Sequence, residues 1–384
     1  MSLDDLKLLI SSAGADRRSV EDSVAKIGRA SCADMILAEI VDRFDSPLSG
    51  DGDGENVTIR MVFVERGVEE SRILRASRDG IQVVDPDDAV VDATISHDLC
   101  ELAQLTYGFT GAADAASRRV ALRDIDKLAS YKKAPVHFFV VQRILEVIDR
   151  RGATGLTELA GRYGADKWGI HLYTEHYERH FARLRDRQLT ILEIGIGGFA
   201  DPSAGGSSLR MWRHYFPRAV VHGVDIHDKS PHNELRIQTH CGDQSDASFF
   251  TDLVAQVGPF DIIIDDGSHV SEHVLASFRT LFPLMRPGGI YAIEDLQTSY
   301  WPRFGGSSLD VNSPQTSMGF LKGLVDGLNH EEFLVDAGRE PQPFDADIKT
   351  AHFYHNLAIL EKGFNREGGG PDWARFGLDS NAPR

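Results

Sequence analysis

From residue 1 to about residue 44, apolar positions recur at helical spacing, as in "CADMILAEIVDRF", which predicts a helical N-terminal region. The turn-rich stretch "SPLSGDGDGEN" ends it. "VTIRMVFVE" and "GIQVVD" then read as short strands separated by a polar turn, and "DATIS" as a candidate third strand. "HDLCELAQLTYG" returns to helical spacing, and "HFFVVQRILEVIDRR" reads as a connecting helix. The expectation is an α+β auxiliary domain over residues 1–150. It carries no nucleotide or metal motif, so oligomer contacts, a wall of the substrate pocket, or both are its expected roles.

Beyond about Gly152 the pattern changes. "LTILEIGIGG", "AVVHGVDIHD", "LRIQTHCGD", "FDIIIDDGSH" and "GGIYAIEDL" are apolar strands, most of them separated by enough chain for a helix. Continuous apolarity, unlike alternation, marks strands covered on both faces, so residues 151–384 are expected to form an α/β domain with a doubly wound, Rossmann-like parallel sheet. Such sheets bind ligands at the carboxyl ends of their strands, where the chemically suggestive residues of this half all fall.

Composition narrows the classes. The 384 residues make two domains the expectation, and 42% hydrophobic with 26% charged residues are ordinary globular values. A formal net charge of −17 repels phosphate backbones, so nucleic acid is not an expected partner. No run approaches the roughly 20 apolar residues of a membrane span, and the acidic start lacks the basic-then-apolar order of a secretory signal. A soluble cytoplasmic protein is expected. Cys32, Cys100 and Cys241 lie far apart and form no CxxC pair, so they read as buried thiols.

The first apolar strand ends in "EIGIGGFADPSAGGSS", where glycines allow a sharp turn and close approach to a ligand. Gly195, Gly197 and Ala200 satisfy G-x-G-x-x-A, a weak signal by itself, since a tight turn that binds nothing has the same form. Asp225 ends the next strand, where it can accept from both ribose hydroxyls of an adenosine cofactor. Asp243 ends the third, placed for an adenine amino group. Either aspartate alone is more often a loop cap than a ligand. Nicotinamide and S-adenosylmethionine both remain open on these features. Glu193 gives the E-x-G-x-G form common in class I methyltransferases, where it lies near the cofactor's methionine portion.

"EIGIGG", "VDI", "GDQSD", "DDGSH" and "IED" in this order, with "GADKWG" and "YERHF" upstream, resemble the metal-dependent O-methyltransferases that modify sugars of macrolide and related antibiotics, the mycinamicin type. The resemblance is strong over residues 157–296 and extends to an N-terminal auxiliary domain. It implies a class I methyltransferase fold, S-adenosylmethionine and Mg²⁺ as cofactors, and a small-molecule glycoside substrate. Glu193, Gly195, Gly197, Phe199, Ser208, Asp225, Gly242 and Asp243 would hold the cofactor. It also implies a homo-oligomer, in the form of a tetramer. Tyr163, Asp166, Lys167 and His171 become candidates for a pocket lid, although Tyr173, Tyr177 and Phe181 at helical spacing equally suit a core face.

In a sheet of this class the ends of "FDIIIDD" and "YAIED" are neighbours, so Asp266, Glu294 and Asp295 converge beside the cofactor. No Lys or Arg in those two motifs is available to neutralise them. Crowded carboxylates require a cation, and oxygen-only ligation selects a hard one, Mg²⁺ or Mn²⁺. His269 lies three residues past Asp266 and is placed to remove a proton from a hydroxyl. Against this, a strand-terminal Asp often caps a helix and a lone His is usually a surface or packed residue. The resemblance assigns Asp266, Glu294 and Asp295 to magnesium and His269 to the general base, and it alone selects Asp266 over Asp265. The long segment "LQTSYWPRFGGSSLDVNSPQTSMG" is expected to face the substrate.

The expected function is methylation of a deoxysugar hydroxyl on a natural-product glycoside of the macrolide antibiotic type. A related methyltransferase for a rhamnose-like sugar or a catechol shares the same metal chelation. A nicotinamide oxidoreductase is favoured only by the glycine spacing and Asp225, and it lacks a Tyr-Lys hydride-transfer pair. A non-catalytic scaffold is the third class, and the intact carboxylate set argues against it.

Overall fold

The continuous apolar runs become the centre of a seven-stranded sheet in a computed structural model that describes residues 2–48, 56–85, 90–111, 113–123, 135–150, 154–333 and 342–371. The chain divides into two compact units. One comprises residues 1–162, 177–188 and 211–219, and the other residues 163–176, 189–210 and 220–384.

In the first unit the N-terminal helical pattern resolves into α1 (Leu3–Ala13), α2 (Arg17–Ile27) and α3 (Arg29–Arg43). Asp16 caps α2 by accepting from Ser19 N at 2.8 Å, which satisfies one of the orphan donors of the first turn. A five-stranded sheet follows, in the order β3-β2-β1-β4-β5. Its strands are β1 (Val57–Glu65), β2 (Val68–Ser77), β3 (Gly80–Val84), β4 (Ala93–Asp98) and β5 (Arg119–Leu122), with α4 (Leu99–Tyr107) between the last two. Helix α5 (Val136–Ile148) corresponds to the expected connecting helix, followed by α6 (Leu156–Tyr163). Most of the expected turn, residues 49–55, and the expected domain boundary near residue 151 lie outside the described residues.

One expectation is corrected here. The polar segment between the first two strands is not a turn, because β2 occupies most of it and pairs antiparallel with β1 from Val57↔Ala76 to Glu65↔Val68. Glu69, Glu70 and Arg72 hide the strand from a hydrophobicity reading, since an antiparallel sheet can keep one face in water.

The second unit carries the sheet order β11-β12-β10-β9-β6-β7-β8. The five expected strands are β6 (Thr190–Ile194), β7 (Val220–Asp225), β8 (Ile237–Cys241), β9 (Ile262–Asp265) and β10 (Ile290–Ile293), and they pair with one another in parallel. Two strands absent from the expectation, β11 (Ile348–Tyr354) and β12 (Leu357–Lys362), add an antiparallel edge. Along the chain the crossovers include α8 (Ser207–Tyr215), α9 (Ala247–Val257) and α10 (Ser271–Leu284), preceded by α7 (Thr174–Phe181) and followed by α11 (Ser317–Gly327). Leu192, Ile263, Phe278, Phe282, Tyr291 and Leu360 are among the residues that build the core on this sheet. Because β6 is central with β9 and β10 on one side, the carboxyl ends of these strands lie next to one another. Of the three cysteines, Cys32 and Cys100 are buried, but Cys241 is exposed at the end of β8, against the expectation of three buried thiols. Among the described residues, no helix is long and apolar enough to cross a membrane.

Candidate active site

A cavity of about 640 Å³ opens at the carboxyl ends of β6, β7, β8 and β9. Gly195, Gly197, Phe199, Ser208, Asp225, Gly242, Asp243, Asp266, His269 and Asp295 all line it. Gly195 adopts φ +94°, and a Cβ there would stand 2.1 Å from the Asp266 carbonyl oxygen, so only glycine lets the first strand end pass this close to the fourth. A Cβ on Gly242 would meet the Phe249 ring at 2.3 Å. Phe199, at φ +49° and 90% exposed, stands at the mouth.

The Asp225 carboxylate is fixed by two backbone donors, Ile196 N to Oδ2 at 3.1 Å and His227 N to Oδ1 at 2.9 Å. Each oxygen keeps a lone pair, so the group is oriented without being used up. Asp243 Oδ1 accepts from both the amide and the hydroxyl of Ser245, and these bonds hold its carboxyl below the usual range. The loop-cap role weighed against Asp243 is therefore present in its Oδ1, and Oδ2 takes no hydrogen bond from the described residues.

Glu193 and Glu294 do not line the cavity but lie under it, 0% and 3% exposed. Ser208 Oγ donates to Glu193 Oε2 at 2.9 Å. The cation facing these carboxylates is Lys167, which the sequence analysis placed only in a lid. Its Nζ lies 2.9 Å from Glu294 Oε2 and 3.9 Å from Glu193 Oε1, and it also donates to Asp266 Oδ2. Burial opposes the ammonium charge, but Asp266, Glu294, Glu193 and Asp166 outweigh it and raise the Lys167 pKa well above its ordinary value.

Asp266, His269 and Asp295 each offer a ligand atom, and these atoms all lie within 4.8 Å of one another. His269 Nε2 lies 3.6 Å from Asp295 Oδ2. The structure thus brings Asp266 and Asp295 together with His269, while Glu294 turns to Lys167. His269 and Asp295 both have left-handed backbone, at φ +57° and +52°, so each loop is bent sharply where its functional side chain projects. Tyr173 OH donates to Asp295 Oδ1 at 2.9 Å, and the His171 ring stacks on Tyr173 with centroids 4.7 Å apart. Of the three aromatic residues at helical spacing, Tyr177 and Phe181 are fully buried, whereas Tyr173 reaches the site through its hydroxyl.

Asp265 points away from the cavity. It accepts from Gln244 Nε2 at 2.7 Å, Ser277 Oγ at 2.6 Å and Tyr291 OH at 3.3 Å, and burial pushes its carboxyl up to about 6. Gln244 is a positioning residue the sequence reading did not single out. Its Oε1 accepts from Ser268 N at 2.9 Å while its amide holds Asp265, which ties the end of β8 to the "DDGSH" loop. Its position inside the quoted "GDQSD" was the only local signal. The segment after Asp295 forms two short 3-10 turns, Leu296–Tyr300 and Pro302–Phe304, and leaves Trp301 half-exposed and Leu309 fully exposed.

Comparison with known proteins decides what this cleft belongs to. A family model described as the MycE methyltransferase N-terminal domain matches residues 6–118. The 8-demethyl-8-alpha-L-rhamnosyl tetracenomycin-C 2'-O-methyltransferase of Streptomyces olivaceus is 44% identical over 375 residues, 95% of this chain and 96% of the relative. The mycinamicin VI 2''-O-methyltransferase of Micromonospora griseorubida is 39% identical, over 94% of this chain and 91% of the relative. The chain belongs to this family of sugar O-methyltransferases. A solved structure of the MycE methyltransferase in complex with Mg, SAH and mycinamycin VI superposes with a TM-score of 0.87 at 36% identity, covering 97% of this chain and 96% of that one. The nicotinamide alternative is set aside by this membership, and the class I fold of the family is the one described above.

Proposed function

We propose that this protein transfers a methyl group from S-adenosylmethionine to a hydroxyl of a deoxysugar on a natural-product glycoside, with Mg²⁺ as the metal. The observation that carries the reading is the carboxylate cluster. Glu193, Asp266 and Glu294 place three carboxylates around a single buried lysine, and Asp266 and Asp295 meet His269 at the cavity wall. A set so rich in oxygen and short of positive charge suits a hard divalent cation, and imidazole is a poor ligand for such an ion. Asp266, Asp295 and Glu294 are therefore assigned to the metal, and His269 is left for proton transfer.

When bound, S-adenosylmethionine supplies the methyl group and Mg²⁺ lowers the pKa of the acceptor hydroxyl. The protein does the rest by position. Asp225 would hold the ribose through its two remaining lone pairs, Asp243 would take the adenine amino group at its free Oδ2, and the Gly195–Gly197 turn would admit the cofactor against the backbone. His269 accepts the hydroxyl proton at Nε2, and Asp295 Oδ2 at 3.6 Å favours the imidazolium that results. Lys167 holds Glu294 and Asp266 in place, and its charge offsets part of the burial that pushes the Asp266 carboxyl above its ordinary value.

The names of the two relatives place methylation on a 2-hydroxyl, on a rhamnosyl group in the tetracenomycin case, which supports a rhamnose-like sugar as the second reading of the substrate. We further infer a cytoplasmic enzyme with residues 1–150 as an auxiliary domain. Exposed Trp168, Ile170 and Leu172 support assembly into a homo-oligomer, with a tetramer as the expected form. The test is calorimetric titration with S-adenosylhomocysteine and NAD, followed by mass spectrometry of demethylated glycosides incubated with S-adenosylmethionine and Mg²⁺. Asp225→Ala serves as the cofactor-site control, losing cofactor affinity but not metal affinity. NAD binding in place of S-adenosylhomocysteine, or binding without turnover on any glycoside, would overturn the reading.

A further inference from the structure

Within the first unit, a second cavity of about 250 Å³ has Arg43, Arg143, Arg150, Arg162 and Arg185 in its lining. In a chain of net charge −17 this local excess of guanidinium is unusual. Partners account for part of it. Arg43 pairs with Glu39 at 2.6 Å, Arg162 with Asp45 at 2.7 Å, and Arg143 with Asp45 at 3.1 Å and Glu146 at 3.3 Å.

Two arginines are left under-compensated. Arg185 donates Nη2 to the Thr154 carbonyl at 2.8 Å and lies 4.5 Å over the Tyr215 ring, and no carboxylate among the described residues is within 4.0 Å of it. Arg150 has a side chain only 10% exposed. Its Nη2 donates to the Gly108 carbonyl at 2.6 Å, but among the described residues its buried Nη1 has no hydrogen-bond partner and lies 3.6 Å from Asp186. Burial, with Arg43 next in effect, pushes the Arg150 guanidinium down to about 10. Its backbone sits at φ +50°, a conformation disfavoured for a side chain of this size.

A buried charged donor left without a partner is destabilising, so an acceptor suits this cavity. We propose that it is a binding site for a phosphate group, carried either as inorganic phosphate or as a small phosphomonoester. Guanidiniums arriving from different elements surround the space and require an anion with oxygens in several directions. A carboxylate has its two oxygens in one plane, whereas a phosphate presents three or four around a centre with nearly two charges and can reach arginines in several directions. At about 30 Å³ per water, the cavity has room for roughly eight waters, more than a bare ion fills.

The test is calorimetric titration of the full-length protein with inorganic phosphate, and separately with glycerol phosphate, against chloride at equal ionic strength. The expected result is saturable one-to-one binding with a dissociation constant below about 1 mM. Arg185→Gln and Arg150→Met should each weaken it about tenfold or more while S-adenosylhomocysteine binding is unchanged. If Arg150→Met does not fold, Arg185→Gln decides alone. Tighter binding of glycerol phosphate identifies a phosphorylated metabolite as the ligand, and equal or weaker binding identifies free phosphate. Absence of saturable binding, or binding that Arg185→Gln leaves intact, overturns the proposal.

Discussion

Lys167 Nζ lies 2.9 Å from Glu294 Oε2, and each side chain is only 1% exposed. The pair is the floor of the carboxylate cluster, and its sign matters: one ammonium faces Glu294, Glu193 and Asp266 together. Removing one partner of a buried pair leaves an uncompensated charge, which costs about 3–5 kcal/mol. Lys167→Met should therefore unfold at markedly lower urea concentration than the wild type when metal is absent. Mg²⁺ should raise the midpoint of the variant more than that of the wild type, because the ion is then the remaining countercharge. An unchanged midpoint in Lys167→Met would show that the carboxylates are neutral or apart.

His269 projects from a left-handed loop residue toward Asp295 and is partly exposed. His269→Gln keeps a polar side chain of similar reach and loses the base. Turnover should fall by about 10²–10⁴ while S-adenosylhomocysteine affinity, read by calorimetry, stays near that of the wild type. Wild-type turnover in the variant would assign the proton to another group.

The strand ends of the second unit were legible because they are continuous apolar runs that stop at Gly195, Asp225, Asp243 and Asp266, and the order of the sheet follows from its class. Lys167 was not legible as the countercharge. It reaches Asp266 across 99 residues, and nothing near either position announces the pair. Strand β2 was hidden by Glu69, Glu70 and Arg72, whose charges suit a solvated sheet face as well as a turn. Strands β11 and β12 follow the last functional motif and carry no ligand chemistry, so only their apolar pattern could have revealed them. Asp265 and Asp266 are adjacent carboxylates with opposite fates. The difference lies in Gln244, Ser277 and Tyr291, three residues distant in sequence that claim Asp265 for the interior.

In the first unit, His97 is buried, and burial together with the Arg118 charge lowers its pKa to about 4. Its Nε2 accepts from Arg118 Nε at 3.1 Å, which requires the neutral ring. Between pH 6.5 and about 4 the unfolded chain binds a proton at this position that the folded chain does not. Stability therefore rises with pH across that window and is lost on acidification, on the order of 3 kcal/mol from this residue. His97→Gln keeps an acceptor for Arg118 without a titrating ring. Urea midpoints measured from pH 7 to 4 should fall less steeply in the variant, and parallel profiles would falsify the assignment.

Metal removal is the most direct test of the cleft. Asp266 and Asp295 present ligand atoms within 4.8 Å of each other and of His269, while Glu294 is held by Lys167 just beneath. Chelation should abolish turnover, and Mg²⁺ or Mn²⁺ should restore it. S-adenosylhomocysteine should still bind to the chelated protein, because the contacts assigned to it come from Asp225, Asp243 and the Gly195 turn at the ends of β6, β7 and β8, not from the Asp266 and Asp295 carboxylates. Glu294→Ala should behave like chelation and resist rescue at ordinary Mg²⁺ concentrations. It removes one carboxylate and also frees Lys167 to draw Asp266 more strongly, and both effects weaken the site for a dication. Calorimetry with Mg²⁺ reads that loss independently of turnover. Full activity in excess chelator would leave the fold and family intact and remove the metal from the mechanism.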